Sequence, residues 1–463
     1  AEQAVRGGIC QVSHRHAEAN ENTQLLYIDA TNLYGWAMSR KLPLDSYEWV
    51  NMTVDEVHKH CERDWESYDY GYLLEVDLNY PEHLHDLHND YPLAPEQRCG
   101  EWSPKACELG GWADNAAPQN TPKLILSLDA KKHYTVHIGT LQLYLRHGLV
   151  LTKVHKALKF RQEAWMQPYV QSNTDTRAKM HKDDPRRDVP KLMNNSVFGK
   201  TVENVRKRRR IKLASSSKRL QKLVNDPFYR THKSYLGSDG ESGITAVHMA
   251  KDKETFDKPI LTGAAVLDIS KLHMYKAWYE YIKPAFGDKV RMLMTDTDSM
   301  ILAFSCSRDE MHAGLMHCAP IMDMTSLPRE HPLHQATAAN KGVLGMFKDE
   351  LEGLEAAEFV GLRAKMYSIV DSKYKGTQKA KGLPKGYVKR CIQHEDYLES
   401  LHNIEGRRAA SCSFTAIRSH AHQLTTDHIT KKGLGAYDDK RYILADGVAT
   451  LAHGHWRIRG HRN

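Results

Sequence analysis

The chain has 463 residues, 41% of them hydrophobic, with 65 basic and 57 acidic residues for a net charge of +8, and 27 histidines besides. That is ample apolar content for a core and too long for one compact unit, so about two to four subdomains are expected. No run approaches the ~18 apolar residues of a membrane span and no charged-then-apolar leader opens the chain, which argues for a soluble, non-secreted protein in a reducing compartment. The positive balance fits a polyanionic partner without demanding one. Eight scattered cysteines, none in a CxxC pair, indicate neither a disulfide framework nor the usual structural zinc site. The opening at Ala1 rather than Met fits a piece of something longer.

In chain order, residues 1–22 read as a polar linker carrying the run RGG, and LLYIDA then reads as a strand ending at a carboxylate. Loop signals crowd residues 79–122, so a surface insertion is expected at about 50–122. A helix around 139–147 and a returning strand LVLTKVH follow, and from about 161 to 210 the character turns helical and charged. The basic run VRKRRRIK, with Arg206 and Lys207, is either a solvated helix end or a phosphate-contacting surface. Residues 215–258 are again loop-rich, a second and smaller insertion. The segment from Leu261 to Gly287 reads as one long amphipathic helix with Leu267, Leu272, Tyr275, Tyr279 and Ile282 near one face. From about 376 the Lys-, His- and Gly-rich remainder is expected to form a separate small lobe.

Between them lies MLMTDTDSMI, which alternation assigns to two strands and a tight turn, with Asp296 and Asp298 at the tip on one side. Two such carboxylates repel, and a hard divalent cation such as Mg²⁺ relieves them; the alternative is a turn in which both bond backbone amides. Asp29 offers a second strand-end carboxylate. If it lies beside Asp298, the pair can bridge two ions about 3.5–4 Å apart, the requirement of two-metal phosphoryl transfer. In KLMNNSVFGK, helical spacing puts Lys191, Asn195 and Phe198 on one face, a cation, an amide and a ring matching the phosphates, sugar and base of a nucleotide.

Taken in order, DATNLYG, KLMNNSVFG and MTDTDS resemble motifs A, B and C of family B DNA polymerases, LRAKMYS resembles the KxY motif, and VRGG the YxGG motif. The likeness is nearest to the protein-primed branch, including polymerases of Polinton-type transposons and related viruses, where NNSVFGK and a terminal DDKRY…TLAHGH also occur. The resemblance implies a mixed α/β (α+β) right hand of palm, fingers and thumb with a ferredoxin-like mixed palm sheet. Palm would occupy 23–154 and 259–375, fingers 155–214, and thumb 376–463. It further implies a template-directed DNA polymerase acting on primer and template DNA with deoxynucleoside triphosphates, using two Mg²⁺ ions or Mn²⁺, at the nucleus or a viral replication site, with a terminal priming protein as a further partner and no membrane.

Residue by residue, the resemblance makes Asp29 and Asp298 the metal ligands and Asp296 a supporting carboxylate. Tyr34 would exclude a 2′-hydroxyl, Lys191 would hold the triphosphate, and Asn195 with Phe198 would shape the sugar and base site. Arg187 and Lys179 are further triphosphate candidates, although Pro185 and Pro190 break a helix there. Lys365 and Tyr367 would meet the primer terminus, and Gly7 and Gly8 would let backbone approach the template. Asn32 and Gly35 replace Ser and Pro of motif A, Phe198 replaces a tyrosine of motif B, Met294 the tyrosine of motif C, and Val5 that of YxGG. The family's 3′–5′ exonuclease precedes YxGG, so this chain is expected to lack it.

Two other readings compete. A relict that binds DNA without polymerising fits the prolines and the missing exonuclease, but not the intact Asp29, Asp298 and Lys191. A sugar-nucleotide transferase would account for Asp296 and Asp298 alone and leave NSVFG and KMYS without a role.

Overall fold

The strand Gln24–Ala30 sets the architecture, because it is apolar on both sides. Leu26, Ile28 and Ala30 face one hydrophobic cluster, whereas Leu25 and Tyr27, on the alternate face, enter another with Phe359, Tyr367 and Ile369. A strand so patterned has to lie between two layers. In the computed structural model, which describes residues 2–113, 117–181, 183–236, 243–402, 411–420 and 423–460, it is the β2 strand of a six-stranded sheet. The members are β1 (Cys10–Val12), β2 (Gln24–Ala30), β3 (Val290–Asp296), β4 (Ser299–Phe304), β5 (Met322–Asp323) and β6 (Phe347–Asp349), in the order β1-β3-β4-β2-β6-β5. Only the β5–β6 pair is parallel.

One cover of this sheet is the helix Ile260–Lys276 with its continuation to Phe286. It is not amphipathic: from Thr262 to Tyr275 every residue is buried, including Asp268, Lys271 and His273. A helix enclosed all round must satisfy its polar groups internally. Lys271 Nζ donates to the carbonyls of Arg6 (2.7 Å) and Leu267 (3.0 Å), and Asp268 accepts from the amide of His137 (3.0 Å). The other cover is a four-stranded sheet of Gly376–Ala380, Met366–Asp371, Ala356–Arg363 and His16–Glu18.

The chain divides into two units. The larger holds residues 1–198, 261–412 and 430–463. Much of the expected surface insertion belongs to its core. Tyr70–Asn79 pairs along its length with the 14-residue strand Val150–Glu163, and Tyr80, Tyr91, Leu93 and Ala94 are buried. Proline and glycine there mark tight turns between buried anchors, a pattern that composition alone does not separate from a surface loop. The C-terminal segment is likewise no separate lobe. Buried Arg15 reaches the carbonyls of Gly447 (2.8 Å), Leu362 (2.9 Å) and Ala436, and buried Arg441 donates to Thr450 Oγ1 (2.6 Å) and the Asn89 carbonyl (2.8 Å). Arg15 thus ties the N-terminal segment to the tail, and Arg441 ties the tail to Asn89, in each case through a partner hundreds of residues away.

The smaller unit comprises residues 199–260 and 413–429. Within it, Arg210–Ala214, Gly243–Met249 and Tyr229–Leu236 form an antiparallel sheet, and the helix Ser217–Val224 packs its Leu223 with Ala214, Val247 and Met249. Strands therefore replace the loops expected at 215–258. Tyr229–Leu236 is exposed along most of its length, which removes the period-two apolar signal that reveals a strand. Among the described residues no helix is long and apolar enough to cross a membrane.

Arg15→Met should lower stability by about 3 kcal/mol or more, since several buried carbonyls lose their donor; urea unfolding measures it, and an unchanged midpoint would show the tail to be held otherwise. Acid should be a second weakness. Burial holds His88 down to about 3 and His137 and His273 down to about 4, against an ordinary value of 6.5. The unfolded chain takes up these protons near 6.5 and the folded one does not, so stability falls as pH drops below that value, by about 4 kcal/mol per unit for the three together. Unfolding followed by circular dichroism is expected to set in well above pH 4.

Candidate active site

At the end of β3 the chain reverses in two residues, so that Asp296 pairs with Ser299. Thr297 takes a φ of 68°, and the amide of Asp298 donates to the carbonyl of Asp296 (2.8 Å), closing a γ-turn. A β-branched residue at positive φ stores about 1–3 kcal/mol of strain and needs external support. The amide of Thr297 donates to the carbonyl of Ile9 (2.6 Å), and Gly8 lies so close that a Cβ there would sit 2.5 Å from the Thr297 side chain. Gly8 therefore makes room for the hairpin tip. Gly7 faces open space.

The side from which Asp296 projects is set further back. Met292 pairs with Leu302 and Met294 with Ile301, which leaves Leu293 as the extra residue of a β-bulge. Before the bulge, Met292 faces the cluster under the long helix; after it, Met294 faces the cluster of Tyr27 and Tyr367. Asp296, two residues on, follows Met294 onto the face that carries Asp29. The simple alternation expected for MLMTD does not hold, and without the bulge Asp296 would project through the opposite face.

Asp29 lies between two neighbours, paired with Ser299 on β4 and Lys348 on β6. The amide of Ala30 donates to the carbonyl of Asp298 (2.7 Å), fixing the hairpin tip to the Asp29 strand. Burial, then the charges of Asp298 and Glu350, push the Asp29 carboxyl up to about 7. Burial and Asp296 raise that of Asp298 too, while Lys191 and Lys365 oppose the rise. Asp296 is ion-paired with Lys365, itself at φ 62°. Crowded, half-desolvated carboxylates whose ionised forms lack sufficient counter-charge, offering oxygen donors alone, fit hard divalent ions such as Mg²⁺ or Mn²⁺.

Above them, α1 (Leu33–Met38) begins after Asn32, which adopts a left-handed φ of 46°. A Cβ on Gly35 would come within 2.3 Å of the Asn32 amide, so the two departures from the motif A pattern are one steric unit. Tyr34 stacks on Phe198 with ring centroids 4.5 Å apart and an interplanar angle of 17°, and burial with the nearby Asp298 and Asp296 charges pushes its hydroxyl up to about 12. Phe198 belongs to α2 (Asp188–Thr201). Pro190 does not break that helix, because it sits in the first turn, where no amide donor is needed. Lys191 and Asn195 are exposed on the Phe198 face, and buried Asn194 anchors the helix by accepting from Asn173 Nδ2 (2.8 Å).

The structure thus brings Asp29, Asp298, Asp296, Tyr34, Phe198, Lys191 and Lys365 together. Arg187, in a 3₁₀ turn ahead of α2, and Lys179, ending the helix Gln167–Lys179, lie on the connecting segments. Tyr367 is only 2% exposed, and its hydroxyl lies 2.9 Å from that of Tyr27, beneath the carboxylates rather than at a surface. Arg206 and Lys207 belong to the smaller unit, where the Arg206 guanidinium lies 4.6 Å from the Phe256 ring and Lys207 is exposed. Sequence reasoning missed Lys348 and Glu350, the charges next to Asp29, and Tyr27. It also missed a cleft of about 650 Å³ beside Asp296, lined by Lys365, Lys379, Lys381, Lys385 and Lys389. The recurrence of lysine from 379 to 389 was the available signal for it.

Known proteins resemble this chain in family and in fold. The family of type B DNA polymerases, organellar and viral, matches residues 2–284, which include Asp29, Tyr34 and α2 and end ahead of the hairpin. A comparison with curated proteins finds no match. Among solved structures, Phi29 DNA polymerase in an orthorhombic crystal form is similar over 93% of this chain and 62% of its own, at 14% identity and a TM-score of 0.51. A ternary complex of Phi29 DNA polymerase with primer-template DNA and incoming nucleotide substrates aligns over 94% and 62%, at 15% identity and a TM-score of 0.49. The chain spans less than two thirds of the length of that polymerase, and the first likeness establishes the fold, a right-hand polymerase fold. Since the family match takes in well over half of the residues, the chain belongs to the organellar and viral type B DNA polymerases.

Proposed function

We propose that this chain is a template-directed DNA polymerase that adds deoxynucleotides to a 3′ or protein-linked hydroxyl by two-metal phosphoryl transfer. The observation that carries the reading is the clipping of Asp298 to the Asp29 strand, which holds two half-buried, mutually repelling carboxylates side by side. Asp29 and Asp298 would hold the ions, and Asp296, tied to Lys365, would stand behind them. Divalent ions bound there supply the Lewis-acid chemistry that activates the attacking hydroxyl and stabilises the departing pyrophosphate.

The remaining work falls to the chain. Lys191, the cation on α2 that bears on both carboxylates, would meet the triphosphate, with Arg187 and Lys179 as more distant contacts. The Tyr34–Phe198 stack presents a flat wall beside the carboxylates, on which a deoxyribose fits and a 2′-hydroxyl collides. Asn195 would complete that wall. The lysine-lined cleft suits the phosphates of a primer-template duplex, with Lys365 nearest the reacting end and Tyr367 supporting the floor from below. Gly8 would act through the hairpin tip, Gly7 through its open backbone, and Arg206 with Lys207 through single-stranded or duplex phosphate. In this reading the palm is built from 23–154 and 259–375 and fingers from 155–214, and residues 376–463, although not a separate lobe, take the place of a thumb. A priming protein would be the further partner in DNA replication.

Asp298→Asn should reduce primer extension by about 10³-fold while leaving primer-template affinity within a few-fold of wild type. Gel-based extension and a binding titration together decide it: retained extension sinks the metal-ligand role, whereas an inactive wild type that still binds DNA supports the relict. Tyr34→Val should raise ribonucleotide incorporation relative to deoxynucleotide by about 10-fold or more. An unchanged ratio in single-turnover assays would remove Tyr34 as the sugar gate.

A further inference from the structure

Away from the carboxylate site, the edge strand His16–Glu18 pairs with Ala356–Arg363 so that Glu18 lies directly opposite Glu358. Like charges directly opposed across a strand pair destabilise it unless a cation intervenes. His16 projects on the same side, two residues from Glu18. Its Nε2 stands 2.7 Å from Glu358 Oε1 and 3.7 Å from Glu18 Oε1, and one ligand atom from each of the three residues falls within 4.8 Å of the others. Tetrahedral zinc with bonds of about 2.0–2.1 Å sets its ligand atoms about 3.3 Å apart, so side-chain shifts of about 0.5 Å at His16 and at most about 1.5 Å between the two carboxylates convert this cluster into a coordination sphere.

A second, independent feature points into the cluster. The His394 side chain is fully buried, and its Nε2 faces Glu358 Oε2 at 3.1 Å without forming a hydrogen bond. Its Nδ1 lies 2.7 Å from Ser368 Oγ, which fixes the ring. Ser, His and Glu in this order resemble a hydrolytic relay, but Ser368 is wholly buried and no substrate reaches it. The arrangement instead sets His394 where a small turn of its ring lets Nε2–H donate to Glu358, as outer partners do to a metal-bound carboxylate.

We propose that His16, Glu18 and Glu358 bind one divalent transition-metal ion of the Zn²⁺ class, with His394 orienting Glu358. An imidazole among the ligands selects such ions over Mg²⁺, and one neutral ring with two carboxylates balances a double charge. The ion would fasten the edge strand His16–Glu18 to Ala356–Arg363, the strand that leads into Lys365.

The test uses the tag-free full-length chain, stripped with a chelator and titrated with Co²⁺ and Zn²⁺. One Zn²⁺ per chain is expected, unaffected by millimolar Mg²⁺, with a visible Co²⁺ spectrum and a raised unfolding temperature. Glu18→Gln, at an exposed side chain that the fold tolerates, and His16→Gln should each weaken binding by at least ten-fold and abolish the thermal shift. Asp298→Asn should leave all of these unchanged. Absence of stoichiometric binding, wild-type affinity in either cluster variant, or loss of the spectrum in Asp298→Asn overturns the proposal, the last by assigning the ion to the polymerase carboxylates.

Discussion

A carboxylate taken partly out of water beside a second one is stable only while positive charge stands close by, and the sheet is arranged around that constraint. Asp29 sits at the centre of six strands, with Lys348 on one flank, the hairpin tip on the other, and Lys191 reaching in from α2. Asp296 is already neutralised by Lys365, so the uncompensated charge falls on Asp29 and Asp298. The strained Thr297, the clip from Ala30 and the bare Cα of Gly8 are the means by which the backbone holds them there. Each lies on a different element, which is why the site needs the whole sheet and not a loop.

Much of this was legible from residue order. A strand ending in Asp29, a hairpin ending in Asp296 and Asp298, and a helix face of Lys191, Asn195 and Phe198 are all short-range patterns, and short-range patterns survive folding. The bulge at Leu293 was not legible, because one unpaired residue leaves no mark in a run of apolar side chains. The seclusion of Tyr367 was hidden for a related reason: a tyrosine in a motif reads as a surface contact until its hydroxyl is seen to meet another in the core.

Long-range order set the remaining limits. Arg15 and Arg441 look like ordinary basic residues in sequence, yet each is buried among carbonyls that folding assembles from distant segments. The long helix was read as amphipathic from Leu267, Leu272, Tyr275, Tyr279 and Ile282 near one face; internal hydrogen bonds allow Asp268, Lys271 and His273 to be enclosed as well. His16, Glu18 and Glu358 likewise share nothing in sequence and become a cluster only through strand register. In the smaller unit the strand Tyr229–Leu236 escaped notice because, exposed along most of its length, it carries no alternation to find.

The contact between Asn32 and Gly35 bears on the routes by which such a site can change. With Asn32 curled into a left-handed turn, its amide fills the space that any side chain at 35 would occupy. A side chain at 35 is then admitted only if the Asn32 amide swings aside, so the two positions are coupled: what a substitution does at one depends on the residue present at the other.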